Sequence, residues 1–211
     1  MRPVNESARV EAFSDGVIAI AITLLVLEID VPSSGGLWHQ LAEQWTSYVA
    51  FVLTFFLIGI MWVNHHAMFR EVERIDRPLL FLNILLLMGI AFLPFPTALL
   101  AAYVREGGNN GRVATAIYSF TSVVIGCGYL ALWWYLMRHP RLLRASFGVE
   151  GAERAFRRTI VGPAAYALSI VIALIAPLAC LVVYALIALY FVFPVWGRPA
   201  PATATSDEGF E

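Results

Sequence analysis

The stretch RVEAFSDGVIAIAITLLVLEID, residues 9–30, decides the fold class, because it joins a polar entrance to a long aliphatic run. A helix that spans a membrane needs about 20 consecutive, mostly apolar residues, and residues 13–30 approach that length. Arg9, Ser14 and Asp15 mark the beginning of the segment, and Thr23 interrupts its aliphatic part. The segment is therefore predicted to be a membrane-spanning helix.

The composition of the whole chain supports an integral membrane protein. Hydrophobic residues make up 60% of the 211 positions and charged residues 14%, whereas a soluble domain has about 45–50% and about 25%. The formal net charge is −1, and the basic residues form short loop clusters, so nucleic acid is not expected as a partner. The first apolar run lacks a clear cleavage site of small residues, and we expect it to be retained.

The remaining apolar runs bring the predicted number of spans to six. The last run, residues 160–196, is too long for one helix, and Pro177 near its middle removes a backbone donor and clashes with the preceding turn. We divide this run into a helical hairpin, with one kinked and tilted helix as the alternative. Residues 1–196 then form one six-span domain, all-α in class, with spans at 13–30, 47–66, 79–103, 113–137, 159–176 and 178–196.

The arginine residues orient the predicted spans. Arg70, Arg74 and Arg77 follow the second span, and six further arginines lie within residues 138–158 after the fourth. The first loop on the opposite side, residues 31–45, contains no arginine and no lysine. Because short basic loops stay in the cytoplasm, both termini are predicted to be cytoplasmic. Residues 197–211 are polar and rich in Pro and Ala, and we expect a disordered tail there.

One stripe on the first span is the candidate functional surface. Phe13, Gly16, Ile20, Thr23 and Leu27 recur at alternating spacings of three and four, the pattern of helices packed around an axis. Copies of this helix around such an axis would form two aliphatic rings and one hydroxyl ring, which can respectively gate a pore and contact an ion. The same stripe is also typical of two packed membrane helices, and the spacing alone leaves both interpretations open.

A group of polar residues is predicted at the depth of the entrance of the first span. A buried carboxylate must be paired or hydrogen-bonded, and partners for Asp15 are available near the same end of the second and third spans. We therefore predict a polar network that fixes the first helix. Its members are Ser14, Asp15, Trp62, Asn83 and one of the adjacent histidines His65 and His66. A metal site at the two histidines is not expected, because their spacing is poor and no acidic residue assists them.

The motif Arg-x-x-x-Phe-Ser-Asp at residues 9–15, followed by GVIAIAITLLVLEI, resembles the endosomal/lysosomal potassium channel family and its bacterial and archaeal homologues. The resemblance continues in WVNHHAMF, residues 62–69, and in a six-span length that ends near residue 196. The chain contains no TVGYG-type filter. It resembles the prokaryotic members, which carry one six-span unit and assemble as homotetramers whose first helices line the pore.

The resemblance implies a role for each residue of the stripe and of the motif. Ile20 and Leu27 match hydrophobic constrictions of the pore, and Thr23 matches a threonine that contributes to potassium selectivity. Gly16 and Leu24 are assigned as further pore-lining residues. The motif residues that hold the pore helix in place match Arg9, Phe13, Ser14 and Asp15. The implied function is a potassium-permeable channel in the plasma membrane of a prokaryote, with K⁺ as the permeant ion and no cofactor.

Two other classes of protein agree less well with the sequence. A secondary transporter or proton-permeable carrier is the alternative function, but transporters usually have charged residues at the membrane midplane. The predicted spans have no Asp, Glu, Lys or Arg at their centres. An enzyme is not expected either, because the sequence places no Ser/His/Asp set and no set of metal ligands at one depth.

Overall fold

The computed structural model describes residues 6–32 and 36–192. Within these ranges the regular structure is helical, and the β pairing consists of one isolated bridge between Val72 and Leu143. The α-helices of this described part are α1 (Glu6–Leu24), α2 (Leu37–Glu43), α3 (Trp45–Arg70), α4 (Arg77–Phe92), α5 (Pro94–Tyr103), α6 (Gly108–Arg138), α7 (Gly148–Thr159), α8 (Val161–Ile175) and α9 (Ala179–Val192). The tail predicted at residues 197–211 lies outside the described residues.

Five helical segments of the described chain are long and apolar enough to cross a membrane. They are Ser7–Glu28, Trp45–Arg70, Arg77–Tyr103, Gly108–Arg138 and Gly148–Ile175. The remaining apolar helix, α9, is described over 14 residues, and residues 193–196 of the predicted last span lie outside the described ranges. The prediction of an all-α membrane protein is confirmed, and the count of six spans stays a prediction.

One side-chain cap and two prolines mark helix ends in the described chain. The Asp76 carboxylate accepts a hydrogen bond from the backbone N–H of Leu79 at 3.1 Å and so caps the beginning of α4. Pro94 takes the first position of α5, where its missing N–H leaves no hydrogen bond broken. Pro177 lies in the short turn between α8 and α9. The predicted span 79–103 thus consists of two helices that meet at Pro94, whereas Pro177 lies at the predicted boundary between the last two spans.

The first helix differs from its predicted bounds at both ends. α1 begins at Glu6, and its α-helical part ends at Leu24, where a 3-10 helix takes over from Leu25 to Glu28. Ile29 is then extended, with φ −96° and ψ 112°. Pro32 disfavours a helical conformation for the residue before it, so the chain leaves the helix ahead of that proline. Leu27 therefore lies on a tighter turn than the α-helical stripe assumes.

The helix α6 lies at the centre of the bundle and contacts α4, α5, α7 and α8. Its Tyr118 is 1% exposed and shares a hydrogen bond of 3.0 Å with Thr54 of α3, which also accepts one from Thr97 of α5. The first helix lies at the edge of this bundle, where it packs mainly against α3 and α4. One side of α1 is thus held by the fold, and the other side faces away from it.

Candidate functional site

The helix α1 has one buried face and one exposed face, although both carry aliphatic side chains. Ser14, Ile18, Ala21 and Leu25 are at most 2% exposed and recur at spacings of three and four. The opposite side consists of exposed residues, continues onto the 3-10 helix that follows α1, and is called here the open face of α1. Its members are Phe13, Gly16, Ile20, Thr23, Leu24 and Leu27.

The open face is an apolar surface that no other part of the described chain covers. Ile20 is 61% exposed and Leu27 73%, and a Cβ atom added at Gly16 would meet no heavy atom within 4 Å. A contiguous exposed apolar surface marks an interaction site or a lipid contact. All five residues predicted to line a pore, together with Phe13, lie on this face, and their roles stay predictions.

The hydroxyl of Thr23 is oriented by its own helix. Its Oγ1 donates a hydrogen bond of 2.9 Å to the carbonyl oxygen of Ile20, and the residue is exposed. A hydroxyl has one hydrogen to donate and two lone pairs that accept. Because the hydrogen is already used, the oxygen presents acceptor capacity at the open face, which suits a cation or a water molecule.

A chain of hydrogen bonds joins the buried face of α1 to its two neighbours. Ser14 of α1, His65 of α3 and Asn83 of α4 are each at most 1% exposed and are called here the buried anchor. The Asn83 amide lies between the other two, with Nδ2 2.9 Å from Ser14 Oγ and Oδ1 2.8 Å from His65 Nε2. Three helices are thus tied together at one depth by a single amide group.

The partners fix the direction of each hydrogen bond in the buried anchor. The Ser14 hydroxyl donates to the carbonyl oxygen of Val10 at 2.9 Å, so its oxygen accepts from the Asn83 amide. The amide oxygen of Asn83 can only accept, so Nε2 of His65 carries a hydrogen. The structure therefore selects His65, and not His66, as the histidine bonded to Asn83. The ring of His65 also stacks on Phe69, with centroids 4.4 Å apart.

A second pair of contacts lies along the more exposed edge between α1 and α3. Trp62 Nε1 donates a hydrogen bond of 2.9 Å to Asp15 Oδ1, and His66 Nδ1 lies 2.6 Å from Glu11 Oε1. The second contact lacks hydrogen-bond geometry, so it stabilises the pair electrostatically when His66 is protonated. The predicted polar network is thus two separate groups, and Glu11 is a member that the sequence reasoning missed.

Two residues of the sequence motif lie apart from both groups. Arg9 is exposed, and within the described residues it makes no hydrogen bond or ion pair. Phe13 is 60% exposed on the open face. The structure of the single chain therefore brings Ser14 and Asp15 to partners on α3 and α4 but does not bring Arg9 and Phe13 to them.

These features define a multi-pass helical membrane protein whose first helix is fixed on one side and open on the other. Residues 9–94 match the model of the family described as endosomal/lysosomal potassium channel TMEM175. The chain is 47% identical over 205 residues to a potassium channel of Streptomyces collinus, covering 94% of this chain and 99% of that protein. The chain belongs to the TMEM175 family, which confirms the family predicted from the motif.

Two further comparisons place the fold within this family. A crystal structure of a lysosomal potassium-selective channel TMEM175 homologue from Chamaesiphon minutus superposes with a TM-score of 0.78 at 38% identity, covering 89% of this chain and 96% of that chain. The endosomal/lysosomal proton channel TMEM175 of Gallus gallus is 34% identical over 163 residues. That alignment covers 70% of this chain and 32% of the chicken protein.

Proposed function

We propose that this protein is a potassium-permeable channel in which the open faces of several α1 helices surround a central pore. The observation that carries the proposal is the open face itself, where Gly16, Ile20 and Thr23 are exposed along one side of a helix that is fixed on the other side. The Streptomyces and Chamaesiphon relatives, which match nearly the whole chain, are named as potassium channels. The permeant ion is K⁺, and no cofactor takes part.

The assembly that suits this pore is a homotetramer. One α1 helix cannot enclose a pore, and closed symmetric rings of identical chains are the ordinary solution for an unsatisfied surface of this kind. We expect native mass spectrometry of detergent-purified protein to give four times the chain mass of 23.3 kDa. A monomer mass in every detergent that preserves the fold would contradict the tetramer.

Ile20 and Leu27 form the hydrophobic constrictions of the proposed pore. In a fourfold assembly each residue gives a ring of aliphatic side chains, and such a ring opposes ion passage because it favours loss of water from the pore. Gly16 and Leu24 line the wall beside these rings. Glu28 and Asp30 are exposed beyond Leu27, where two carboxylates per chain would attract cations to the mouth.

The motif residues outside the two polar groups suit contacts between subunits. Phe13 lies on the open face and Arg9 is exposed one turn before it, so in the tetramer both side chains lie where a neighbouring chain approaches. The buried anchor and the Asp15–Trp62 hydrogen bond then hold α1 to its own subunit. The arginine distribution supports an orientation with both termini in the cytoplasm, and the proposed location of the channel is the plasma membrane of a prokaryotic cell.

Thr23 is the residue proposed to favour K⁺ over Na⁺, and replacing it tests the proposed function. We expect Thr23→Val, which keeps the shape but removes the hydroxyl, to reduce the K⁺/Na⁺ permeability ratio severalfold towards unity. Thr23→Ser keeps the acceptor oxygen and is the matched control, with a ratio close to that of the wild type. The measurement is the reversal potential of the reconstituted protein with K⁺ on one side and Na⁺ on the other. Equal reversal potentials for wild type and Thr23→Val would remove Thr23 from the selectivity mechanism.

Proton conduction is a second candidate, because the chicken relative is named as a proton channel. A proton pathway and a K⁺ pathway can be distinguished in vesicles by applying a K⁺ gradient and a pH gradient separately. A reversal potential that follows the K⁺ gradient supports the first proposal. A reversal potential that follows the pH gradient at equal K⁺ concentrations supports proton conduction. A flux that saturates with ion concentration would support the remaining alternative, a carrier of the transporter class.

A further inference from the structure

A cavity of about 670 Å³ lies on the opposite side of α3 from the polar groups of α1. It opens between α3, α6, α7, α8 and α9, and among its described lining residues none belongs to α1. Its volume falls within the range of about 300–1,000 Å³ that is typical of ligand sites. The cavity is therefore a candidate binding site separate from the proposed pore.

One end of the cavity is basic. Its charged lining residues are the basic Arg70, Arg154 and Arg158 and the acidic Glu71. Arg154 and Arg158 come from the amphipathic helix α7, where Gly151 and Ala155 also line the cavity. Spacings of three and four put these residues on one face of α7, and that face covers the cavity. The net charge of this end favours an anion.

The other end of the cavity is mainly apolar. Leu57, Ile60 and Met61 line it on α3, and Ile187 and Phe191 line it on α9. Arg70 lies 13 positions after Leu57 on α3, which is about 20 Å along the helix axis at 1.5 Å per residue. The cavity is thus long, with the arginines at the end of α3 and the aliphatic residues towards the middle of the span.

We propose that this cavity binds one anionic phospholipid. Its phosphate would lie against Arg70, Arg154 and Arg158, and one acyl chain would lie along α3 and α9. A free anion would satisfy the arginines but would leave the apolar end unfilled, whereas an amphiphile matches both ends. Basic pockets between membrane-spanning helices are a common way of binding anionic head groups. The α7 helix carries two of these arginines and packs against α6 and α8, so it would hold the head group beside these helices.

The helix α7 also provides a matched control for this proposal. Arg157 is adjacent to Arg158 but does not line the cavity. It is exposed and donates a hydrogen bond of 2.7 Å to Glu153 of the same helix. Arg157→Gln therefore removes the same charge from the same helix as Arg154→Gln without changing the cavity wall.

Native mass spectrometry of the full chain in a non-ionic detergent tests the site. With equal concentrations of phosphatidylglycerol and phosphatidylcholine, we expect the protein to retain phosphatidylglycerol. Arg154→Gln should weaken this retention about fivefold, the factor expected for one arginine at an anionic lipid surface, and Arg157→Gln should leave it unchanged. Equal weakening in Arg154→Gln and Arg157→Gln, or equal retention of the two lipids by the wild type, would overturn the proposal.

A second pair of measurements tests the apolar end. A Cβ atom added at Gly162 would meet only Phe191, at 3.5 Å, which is ordinary contact, and Gly162 lines the cavity, so a leucine there should extend into it. We expect this variant to lose the lipid while its melting temperature is retained. Unchanged lipid retention would overturn the placement of the acyl chain, and complete competition by millimolar inorganic phosphate would assign the arginines to a free anion. These readouts do not involve ion flow, so they are independent of the channel proposal.

Discussion

Replacing Ile20 by asparagine is expected to raise the single-channel conductance about tenfold. Ile20 is 61% exposed on the open face of α1, and in the proposed tetramer its four copies form the narrow aliphatic ring. An amide in place of each aliphatic side chain would keep water in the constriction and lower the cost of moving an ion through it. A barrier lower by about 1.4 kcal/mol corresponds to the tenfold increase. Single-channel recording in planar bilayers with symmetric KCl measures it.

Two matched variants separate a pore residue from a packing residue. Ile20→Ala shortens the side chain without adding polarity, so its conductance should rise less than that of Ile20→Asn. Ile18 is 2% exposed on the buried face, and Ile18→Asn should lower the melting temperature instead of changing the conductance. A stable Ile20→Asn tetramer with wild-type conductance would remove Ile20 from the pore.

Replacing Leu27 by asparagine is expected to raise the single-channel conductance less than replacing Ile20 does. Leu27 lies on the 3-10 helix, close to the exposed carboxylates of Glu28 and Asp30. In the proposed pore these carboxylates would attract cations and water to the mouth, so a polar side chain at Leu27 should change the local barrier less. The sequence pattern treats Ile20 and Leu27 as equivalent positions of one stripe, whereas the structure puts them on helices of different pitch.

The helices of this protein were predictable because their signals are long and physically simple. An apolar run of sufficient length can satisfy its backbone in a membrane only as a helix or a closed barrel, and the runs of this chain are too long for strands. Pro177 interrupts the last run because a proline has no N–H to donate. The end of α1 was placed less well, since the change to a 3-10 helix at Leu25 has no distinctive residue.

The polar groups show where sequence reasoning reaches its limit. His65 and His66 are adjacent, so on a helix their side chains point about 100° apart, and only one of them can reach Asn83. Nothing in the order WVNHHAMF distinguishes them, because the choice depends on how α3 is rotated against α4, which carries Asn83. The sequence did contain a signal for Glu11. Glu11 and Asp15 are one helical turn apart on α1, and Trp62 and His66 are one turn apart on α3. When Asp15 contacts Trp62, a second contact between Glu11 and His66 is therefore expected.

The buried anchor gives the largest expected loss of stability. Asn83→Leu removes the amide that joins Ser14 to His65, and both of those side chains are 0% exposed. Each buried group left without its partner costs about 1–3 kcal/mol, so the variant should lose about 2–6 kcal/mol. A chain of this size changes its melting temperature by about 2–4 °C per kcal/mol, and thermal unfolding in detergent measures the loss. Asn64→Leu on α3 is the matched control, since Asn64 is only partly buried and lies outside the anchor.

A comparison with the exposed edge shows whether burial is the reason for this loss. Asp15→Ala removes the acceptor of the Trp62 indole, but Trp62 is 44% exposed, so water can replace the lost contact. Its melting temperature should therefore fall clearly less than that of Asn83→Leu. Hydrogen bonds between membrane helices average only about 0.6 kcal/mol when both partners can find new ones. A loss of that size in Asn83→Leu would mean that Ser14 and His65 regain partners, and that α1 is held to its subunit by packing against α3 and α4 instead.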